Sequence, residues 1–342
     1  MSDTSYAVLT RAKAKFGKRL RERDYKSMME CDNVAEVMAY LKSNTRYIEA
    51  FGEANERGIR RGLFENLLKQ YMTDELDIMC RYELSVGEDI SKYIAHKTEI
   101  QEIIRILTLL NSGDKSSFNF SIPPHIAKNS SINLTLLAQA KDYGQFLEAI
   151  KKTRYAKLLR KYQPDEKGLL PITEIENKLF IELYMELYAA VSKADDSEKT
   201  DLINLLDMVM DFKNFIAILR LKKYYKVKPD ILKKYLIPLG SLSESVINEM
   251  LTAESSAKVY EIMERTRSGR LIPKLNSPYS GEIPIRAEFY LARKNMYYSD
   301  SPATVMISYI LLSEIELHNM VCVIEGVRYH IDKEKIENLL IY

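Results

Sequence analysis

The chain contains the stretch QFLEAIKKTR at residues 145–154 and a second version of it, KVYEIMERTR, at residues 258–267. The two stretches align without a gap, and each ends in a Thr-Arg pair. With a single-residue gap, the pattern appears a third time near the N-terminus, in EVMAYLKSNTRY at residues 36–47. Recurrence of this kind indicates that one structural unit has been copied, so we interpret the chain as three diverged copies.

Three features recur in the same order in each copy. The first is the Thr-Arg pair, found as Thr45-Arg46, Thr153-Arg154 and Thr266-Arg267. The second is a glutamate at the start of an apolar run: Glu65, Glu176 and Glu288. The third is an acidic residue followed three positions later by a polar one: Glu99 with Glu102, Asp211 with Asn214, and Glu316 with Asn319. Each copy spans roughly 110 residues, which is enough for a small helical lobe with its own core.

The apolar residues of these runs follow the spacing of an amphipathic helix. Leu205, Met208, Phe212 and Ile216, for example, fall on one stripe. Only 12 glycines and 10 prolines interrupt the chain, and the alternating pattern of a half-buried strand is rare. The sequence therefore predicts an all-α protein made of three helical lobes, at residues 1–115, 116–228 and 229–342.

Composition excludes several classes of protein. Lys and Arg number 50 against 48 for Asp and Glu, so the net charge of +2 gives no overall attraction to nucleic acid or to an anionic membrane. Cys31, Cys80 and Cys322 lie far apart without a CxxC pair, which favours a reducing cytosol. Charged and polar residues interrupt the most hydrophobic stretch, residues 305–324, so we expect no membrane span.

Signals for catalysis or cofactor binding are weak. The chain contains no GxxxxGK[ST], GxGxxG, GxSxG or HExxH motif, so we expect no nucleotide, cofactor or catalytic residue. His96 and Glu99 are three residues apart on a predicted helix, and a metal site can be drawn there. A second such pair is lacking, because His318 follows Glu316 at a spacing that does not face one side of a helix. We therefore expect no metal, and a helical metalloenzyme is the weakest of the alternatives.

The ordered motifs resemble one known family. They comprise Tyr6-Ala7 with Arg11-Ala12, the three Thr-Arg pairs, DFKNFIAILR at residues 211–220 and ELHNMVCVIEGVRYHI at residues 316–331. In this order they resemble the C subunit of the bacterial and archaeal V/A-type ATPases, whose eukaryotic counterpart is the d subunit. The resemblance covers essentially the whole chain.

This resemblance implies a fold and a place in a larger machine. The fold would be a funnel of three similar helical lobes with pseudo-threefold symmetry. The funnel would sit on the membrane-embedded proteolipid ring, on the cytoplasmic face, and hold the tip of the central shaft that the D and F subunits form. Such a subunit performs no catalysis and transmits torque between ATP turnover and the transport of H⁺ or Na⁺. The alternative is a helical-repeat scaffold for other proteins that is unrelated to ATPases.

Positions shared by all three copies are expected to serve the lobe itself. Each lobe meets partners from a different direction, so a residue present three times is best explained by internal structure. We therefore expect the three arginines of the Thr-Arg pairs, and Glu65, Glu176 and Glu288, to form ion pairs inside a lobe or to lie at helix ends. Contact with a partner is the alternative for these residues.

Basic stretches found in one copy only are the candidate interfaces with the shaft or the ring. They are Arg57, Arg60 and Arg61; Lys222, Lys223, Lys226 and Lys228; and Arg265, Arg270 and Lys274. Charge runs are more often simply solvated faces of helices, and that alternative stays open for each. Tyr224 and Tyr225 could stack on single-stranded nucleic acid, but the net charge near zero argues against nucleic acid as a partner.

Overall fold

The computed structural model describes residues 3–52, 61–84, 86–112, 130–194, 196–225, 228–275, 277 and 279–342. Within these ranges every regular element is a helix, and the prediction of an all-α fold is confirmed. The arrangement of three lobes in a funnel stays a prediction.

The helices of the described residues follow one another with short connections in many places. In chain order they are α1 (Asp3–Gly17), α2 (Glu22–Met29), α3 (Val34–Asn44), α4 (Ile48–Phe51), α5 (Arg61–Tyr82), α6 (Gly87–Ser112), α7 (Leu134–Gln139), α8 (Tyr143–Ala149), α9 (Ala156–Leu159), α10 (Ile172–Val191), α11 (Asp196–Tyr225), α12 (Pro229–Lys233), α13 (Glu244–Thr252), α14 (Ser256–Glu264), α15 (Ile283–Tyr298), α16 (Pro302–Arg328) and α17 (Lys333–Leu339). Short 3₁₀ helices cover Gly269–Lys274 and Ser280–Glu282.

The repeated stretch forms the same capped helix three times, as α3, α8 and α14. The side chains of Asn33, Asp142 and Ser255 each accept a hydrogen bond from a backbone amide of the first turn. At the other end, the hydroxyl groups of the three repeated threonines donate to main-chain carbonyls of the last turn: Thr45 to Leu41, Thr153 to Ile150 and Thr266 to Met263. The threonine of each Thr-Arg pair therefore adds a side-chain hydrogen bond to a carbonyl at the end of the repeated helix.

The described residues form two compact units. The smaller consists of Glu88–Ala190, and the larger combines Met1–Gly87 with Val191–Tyr342. In the smaller unit, Phe146, Tyr155 and Leu179 are almost fully buried. Neither unit coincides with one predicted lobe, and the lobe limits at residues 115 and 228 stay a prediction.

Two hydrophobic core clusters can be described in the larger unit. One is formed by residues 212–287, with Phe212, Phe215 and Met263 among its fully buried side chains. The other joins residues 20–68 to residues 320–340, so that Met28 and Leu41 share a core with Val323. Stacking of Tyr25 on Tyr342, with ring centroids 5.5 Å apart, belongs to the same region. Segments near the two ends of the chain thus complete one core.

Helix α16 is long and apolar enough to cross a membrane by length and composition alone. However, 67% of its most apolar 18-residue window is buried inside the protein. Its side chains Met320, Val323 and Ile324 belong to the core just described. The apolar character of α16 is thus explained by packing.

Asparagine side chains clamp the backbone beside the long helices. Asn214 on α11 donates to the carbonyl of Ile237 and accepts from its amide, at 2.9 and 2.8 Å. Asn319 on α16 makes the same pair of hydrogen bonds with Ile341. In the smaller unit, Asn111 holds Leu170 in this way. Each amide group satisfies both polar groups of one residue, which hydrophobic side chains could not do.

We expect the substitution Asn214→Ala to lower the free energy of unfolding by roughly 2–4 kcal/mol. The reason is that the buried amide and carbonyl of Ile237 would both lose their partner, at about 1–3 kcal/mol for each unsatisfied group. Urea unfolding followed by circular dichroism measures the change. Asn248→Ala, at an exposed position of α13, is the matched control and should change stability by less than about 0.5 kcal/mol. Equal effects of the two substitutions would contradict the clamp.

Candidate functional site

A buried carboxylate on each of three long helices is the centre of the repeated structure. Glu99 on α6, Asp211 on α11 and Glu316 on α16 are between 0% and 6% exposed. Burying a charge is costly unless it is hydrogen-bonded, so these groups must have partners.

The first partner is always the residue that follows a Thr-Arg pair. The hydroxyl of Tyr155 donates to Glu99 at 2.6 Å, that of Ser268 donates to Asp211 at 2.6 Å, and that of Tyr47 donates to Glu316 at 2.5 Å. The same contact is therefore made three times, although the partner changes from tyrosine to serine. Each contact lies inside one of the two compact units.

Further donors complete the shells of Glu99 and Asp211. Glu99 accepts from the hydroxyl groups of Ser130 and Ser131 and from the amide of Ser131. Asp211 accepts from the amide and hydroxyl of Ser241 and from the amide of Leu242. The turn beside Asp211 contains Gly240 at φ +114°, where a Cβ atom would lie 2.4 Å from Asp211 Oδ1. Glycine is required there both by its backbone conformation and by the space.

The three repeated arginines have different surroundings, and Arg46 is the buried one. Its guanidinium donates to Tyr309 Oη at 2.7 Å and to Glu316 Oε1 at 3.1 Å. Glu75 Oε1 lies 3.9 Å from Arg46 Nη1 and accepts a hydrogen bond from the same Tyr309 hydroxyl. Two carboxylates thus surround one arginine whose side chain is 6% exposed.

Arg154 occupies the equivalent place in the smaller unit and is more exposed. Its guanidinium pairs with Glu186, and both side chains are 35% exposed. His96 Nδ1 lies 2.7 Å from Arg154 Nη1 and 3.1 Å from Glu186 Oε2. This cluster has the composition of a half-solvated ion pair, which contributes modestly to stability.

Arg267, the third member, is exposed and has no carboxylate partner among the residues that the structure describes. Its guanidinium donates to the neutral side-chain oxygen of Asn204 at 2.9 Å. The two other arginines are paired with Glu75 and Glu186, each ten residues beyond the repeated glutamates Glu65 and Glu176. Ten residues beyond Glu288 the chain has Tyr298, which is 81% exposed.

The repeated glutamates Glu65, Glu176 and Glu288 lie on α5, α10 and α15. Glu288 approaches Lys213 at 3.7 Å, and Glu176 is exposed. The structure does not join these glutamates to the arginines of the Thr-Arg pairs, because Arg46 and Arg154 use other carboxylates.

The side chains of the predicted basic stretches differ in their exposure and in their contacts within the protein. Lys222 is partly buried and donates to the carbonyl of Ala253 at 2.5 Å, and burial lowers the pKa of its amine. Arg265 pairs with Glu249. The remaining described side chains, Lys223, Lys228, Arg270 and Lys274, are exposed. Arg57, Arg60 and Lys226 lie outside the described residues, and so does the side chain of Arg61, the first residue of α5.

The weak metal signal of the sequence does not correspond to a cluster of ligands. His96 faces Arg154 and Glu186, whereas Glu99 is surrounded by serine and tyrosine donors. Within the described ranges, no group of three or more His, Cys, Asp or Glu side chains is arranged to hold a metal ion.

Comparison with known proteins decides the family. The sequence matches the family described as ATP synthase (C/AC39) subunit over residues 8–339. The chain belongs to this family. The resemblance found from the motifs is thereby confirmed.

Individual relatives agree with this assignment. The chain is 24% identical over 353 residues to the C subunit of the A-type ATP synthase of Methanosarcina mazei, a match that covers 99% of this chain and 93% of the relative. It is 26% identical over 212 residues to the protein of the same name from Pyrococcus abyssi, and 28% identical over 217 residues to that from Pyrococcus horikoshii. Each Pyrococcus match covers 60% of this chain and only 56% of the relative.

Members of the C/AC39 family are non-catalytic subunits of the membrane-associated A/V-type ATP synthases. Within this framework, the Thr-Arg motif is explained as a brace. Its threonine closes a helix, and the residue after its arginine donates to a buried carboxylate.

Sequence reasoning missed the residue after each Thr-Arg pair. Tyr47 and Tyr155 are identical, but Ser268 differs, and this hid the common role of the position. The partners Ser131 and Ser241 were also missed, because they lie 32 and 30 residues from the carboxylates that they contact.

We expect alanine substitution of the three arginines to have graded effects on stability. Arg46→Ala should cost about 3–5 kcal/mol, because it leaves two carboxylates without their buried counter-charge. Arg154→Ala should cost about 0–1 kcal/mol, as for exposed ion pairs, and Arg267→Ala should be close to neutral. Urea unfolding of the three variants provides the test. An Arg46→Ala protein as stable as Arg267→Ala would show that the buried contacts are not stabilising.

Stability should also fall at alkaline pH through Tyr155. The pKa of Tyr155 is raised well above its ordinary value near 10. Burial is the main cause, and the hydrogen bond to Glu99 is the second. Because the folded protein holds this proton more tightly than the unfolded chain, the contribution is complete below pH 10 and is lost as the pH rises further. Tyr155→Phe should therefore show a weaker decline in unfolding free energy between pH 9 and 11. Tyr298→Phe, at an exposed site, should keep the wild-type slope, and identical slopes for all three proteins would refute the assignment.

Proposed function

We propose that this protein is a non-catalytic central-stalk subunit of a V/A-type ATPase. In this role it seats the shaft formed by the D and F subunits on the proteolipid ring and transmits torque between ATP turnover and transport of H⁺ or Na⁺. The observation that carries the proposal is the family match over residues 8–339, together with a relative from an A-type ATP synthase that is covered to 93% of its length.

The internal bracing supports a mechanical role. An element that transmits torque must not yield under load, and its stiffness depends on contacts between helices. Here the long helices α6, α11 and α16 are each fixed through a buried carboxylate to the end of a repeated helix. Such charge-assisted hydrogen bonds are directional, so they resist sliding of one helix along another more than apolar packing alone does.

Attachment to the membrane is proposed to be indirect. The apolar surface of α16 is largely used in the protein core, so we propose that the protein is peripheral and bound on the cytoplasmic face through the ring. The exposed basic side chains Lys223, Lys228, Arg270 and Lys274 are the candidate contacts with ring or shaft on the described surface.

We propose that the chain is divided into the three predicted lobes and that hydrogen bonds join each lobe to another. Each Thr-Arg segment contacts a long helix that the predicted limits assign to a different copy: Tyr155 contacts Glu99, Ser268 contacts Asp211, and Tyr47 contacts Glu316. We propose that the copies are linked in this way, so that no copy is stable by itself. The alternative of a helical-repeat scaffold unrelated to ATPases is excluded by the family match.

Binding measurements with purified partners test the proposed function. We expect the full chain to bind a purified D–F complex and, separately, a detergent-solubilised proteolipid ring. Deletion of the protein should uncouple ATP hydrolysis from ion transport in membrane vesicles. Failure to bind either partner, together with full coupling after deletion, would rule the function out.

A further inference from the structure

Arg267 is the point where the three copies differ in charge. In the other two copies, the equivalent arginine is neutralised inside the protein, by Glu316 and Glu75 around Arg46 and by Glu186 beside Arg154. Arg267 has a neutral amide as its hydrogen-bond partner. In the sequence, the position ten residues beyond the repeated glutamate is Tyr298 in this copy, where the other two copies have Glu75 and Glu186. Among the described residues, the repeated arginine therefore lacks an acidic partner in one copy only.

Neighbouring side chains extend this charge. Between residues 258 and 274 the chain has five Lys or Arg residues and two Glu. Lys258 pairs with Glu261 and Arg265 pairs with Glu249. The other three cations, Arg267, Arg270 and Lys274, are exposed and form no ion pair with the residues that the structure describes. We call these three residues the Arg267 surface.

The backbone that carries this surface is well fixed. Ser268, directly after Arg267, is fully buried and bonded to Asp211. Gly269 donates from its amide to the Thr266 hydroxyl, and its Cβ position would lie 1.8 Å from the Met263 carbonyl oxygen. The arginine is thus held on a rigid turn, which lowers the entropy lost when a partner binds.

From this geometry we infer that the Arg267 surface binds carboxylates of an acidic protein segment on the shaft complex. Three exposed cations without an acidic partner among the described residues complement such a segment, and the planar guanidinium groups of arginine bind carboxylates in a bidentate way. This inference rests on the proposed function for the identity of the partner.

Symmetry favours the shaft over the ring. A ring of identical subunits presents the same surface at each position, so it offers no unique counterpart to a charge that is found in one copy only. The shaft consists of single, unlike subunits and meets each copy differently. A charge that is present in one copy and neutralised in the other two fits the second kind of partner.

Charge reversal provides the test. We expect Arg267→Glu to weaken binding of the full chain to the purified D–F complex by about tenfold or more, because an attraction becomes a repulsion at the contact. Lys151→Glu is the matched control, since Lys151 is an exposed lysine of the smaller unit with the same change in charge. Wild-type affinity should fall as salt rises, and the fall should be shallower for Arg267→Glu.

A second variant leaves Arg267 in place. Tyr298→Glu introduces a carboxylate at the position that carries Glu75 and Glu186 in the other copies. We expect the added carboxylate to offset the charge of Arg267, as Glu75 and Glu186 do for the arginines of the other copies, and so to weaken shaft binding as well. Tyr290→Glu, at an exposed position of the same helix, is its control. Circular dichroism and thermal unfolding of each variant establish that the fold is retained.

The outcomes separate the inference from the proposed function. If the wild-type chain binds the shaft and Arg267→Glu binds equally well, the inference is wrong and the proposed function stands. If Arg267→Glu loses binding to the solubilised ring instead, the inference is also wrong, because the surface then faces the ring. If the wild-type chain binds neither shaft nor ring, both fail. Selective loss of shaft binding in Arg267→Glu and Tyr298→Glu supports the inference.

Discussion

A buried carboxylate that accepts a hydrogen bond from the residue after a Thr-Arg pair is the interaction on which the rest of the structure depends. Glu99, Asp211 and Glu316 are removed from water, and their hydrogen bonds offset a desolvation cost that would otherwise unfold the surrounding helices. Because each carboxylate lies on a long helix and its donor follows a short capped helix, the bond sets the position of one element against the other. Apolar packing supplies most of the stabilising free energy, and the polar contact specifies which packing is adopted.

Divergence among the copies follows from the same constraint. The acidic position changes only between glutamate and aspartate, and its donor changes between tyrosine and serine, so the hydrogen bond is kept while side-chain size varies. The arginine before the donor keeps no single partner, and its burial differs between the copies. It is enclosed by two carboxylates as Arg46, half exposed as Arg154 and without an acidic partner among the described residues as Arg267. Two adjacent positions therefore have different roles. The donor contacts the long helix in every copy, whereas the arginine before it is exposed in two of the three copies.

The fold class and the repeat could be predicted from the sequence, because both depend on local patterns. Helical periodicity and the order of the Thr-Arg, glutamate and carboxylate positions are visible without coordinates. The contacts could not be predicted, because they join residues such as Tyr47 and Glu316 that lie 269 positions apart. For the same reason, the sequence did not show that Arg46 and Arg154 pair with carboxylates other than Glu65 and Glu176. For the basic stretches, only the structure distinguishes Lys222, which is used internally, from the exposed Arg270.

The shared core of residues 20–68 and residues 320–340 has a consequence for synthesis on the ribosome. Helices α2 and α3 are synthesised well before α16 and α17, whose apolar side chains complete the same core. Until then Met28, Leu41 and Phe64 lack the part of their core that residues 320–340 supply, whereas the unit of Glu88–Ala190 can assemble from consecutive residues. Long-range contacts of this kind delay folding and leave hydrophobic surface open to wrong association. A nascent chain halted before residue 302 would thus expose the apolar side chains of residues 20–68 and depend on chaperones to prevent its aggregation.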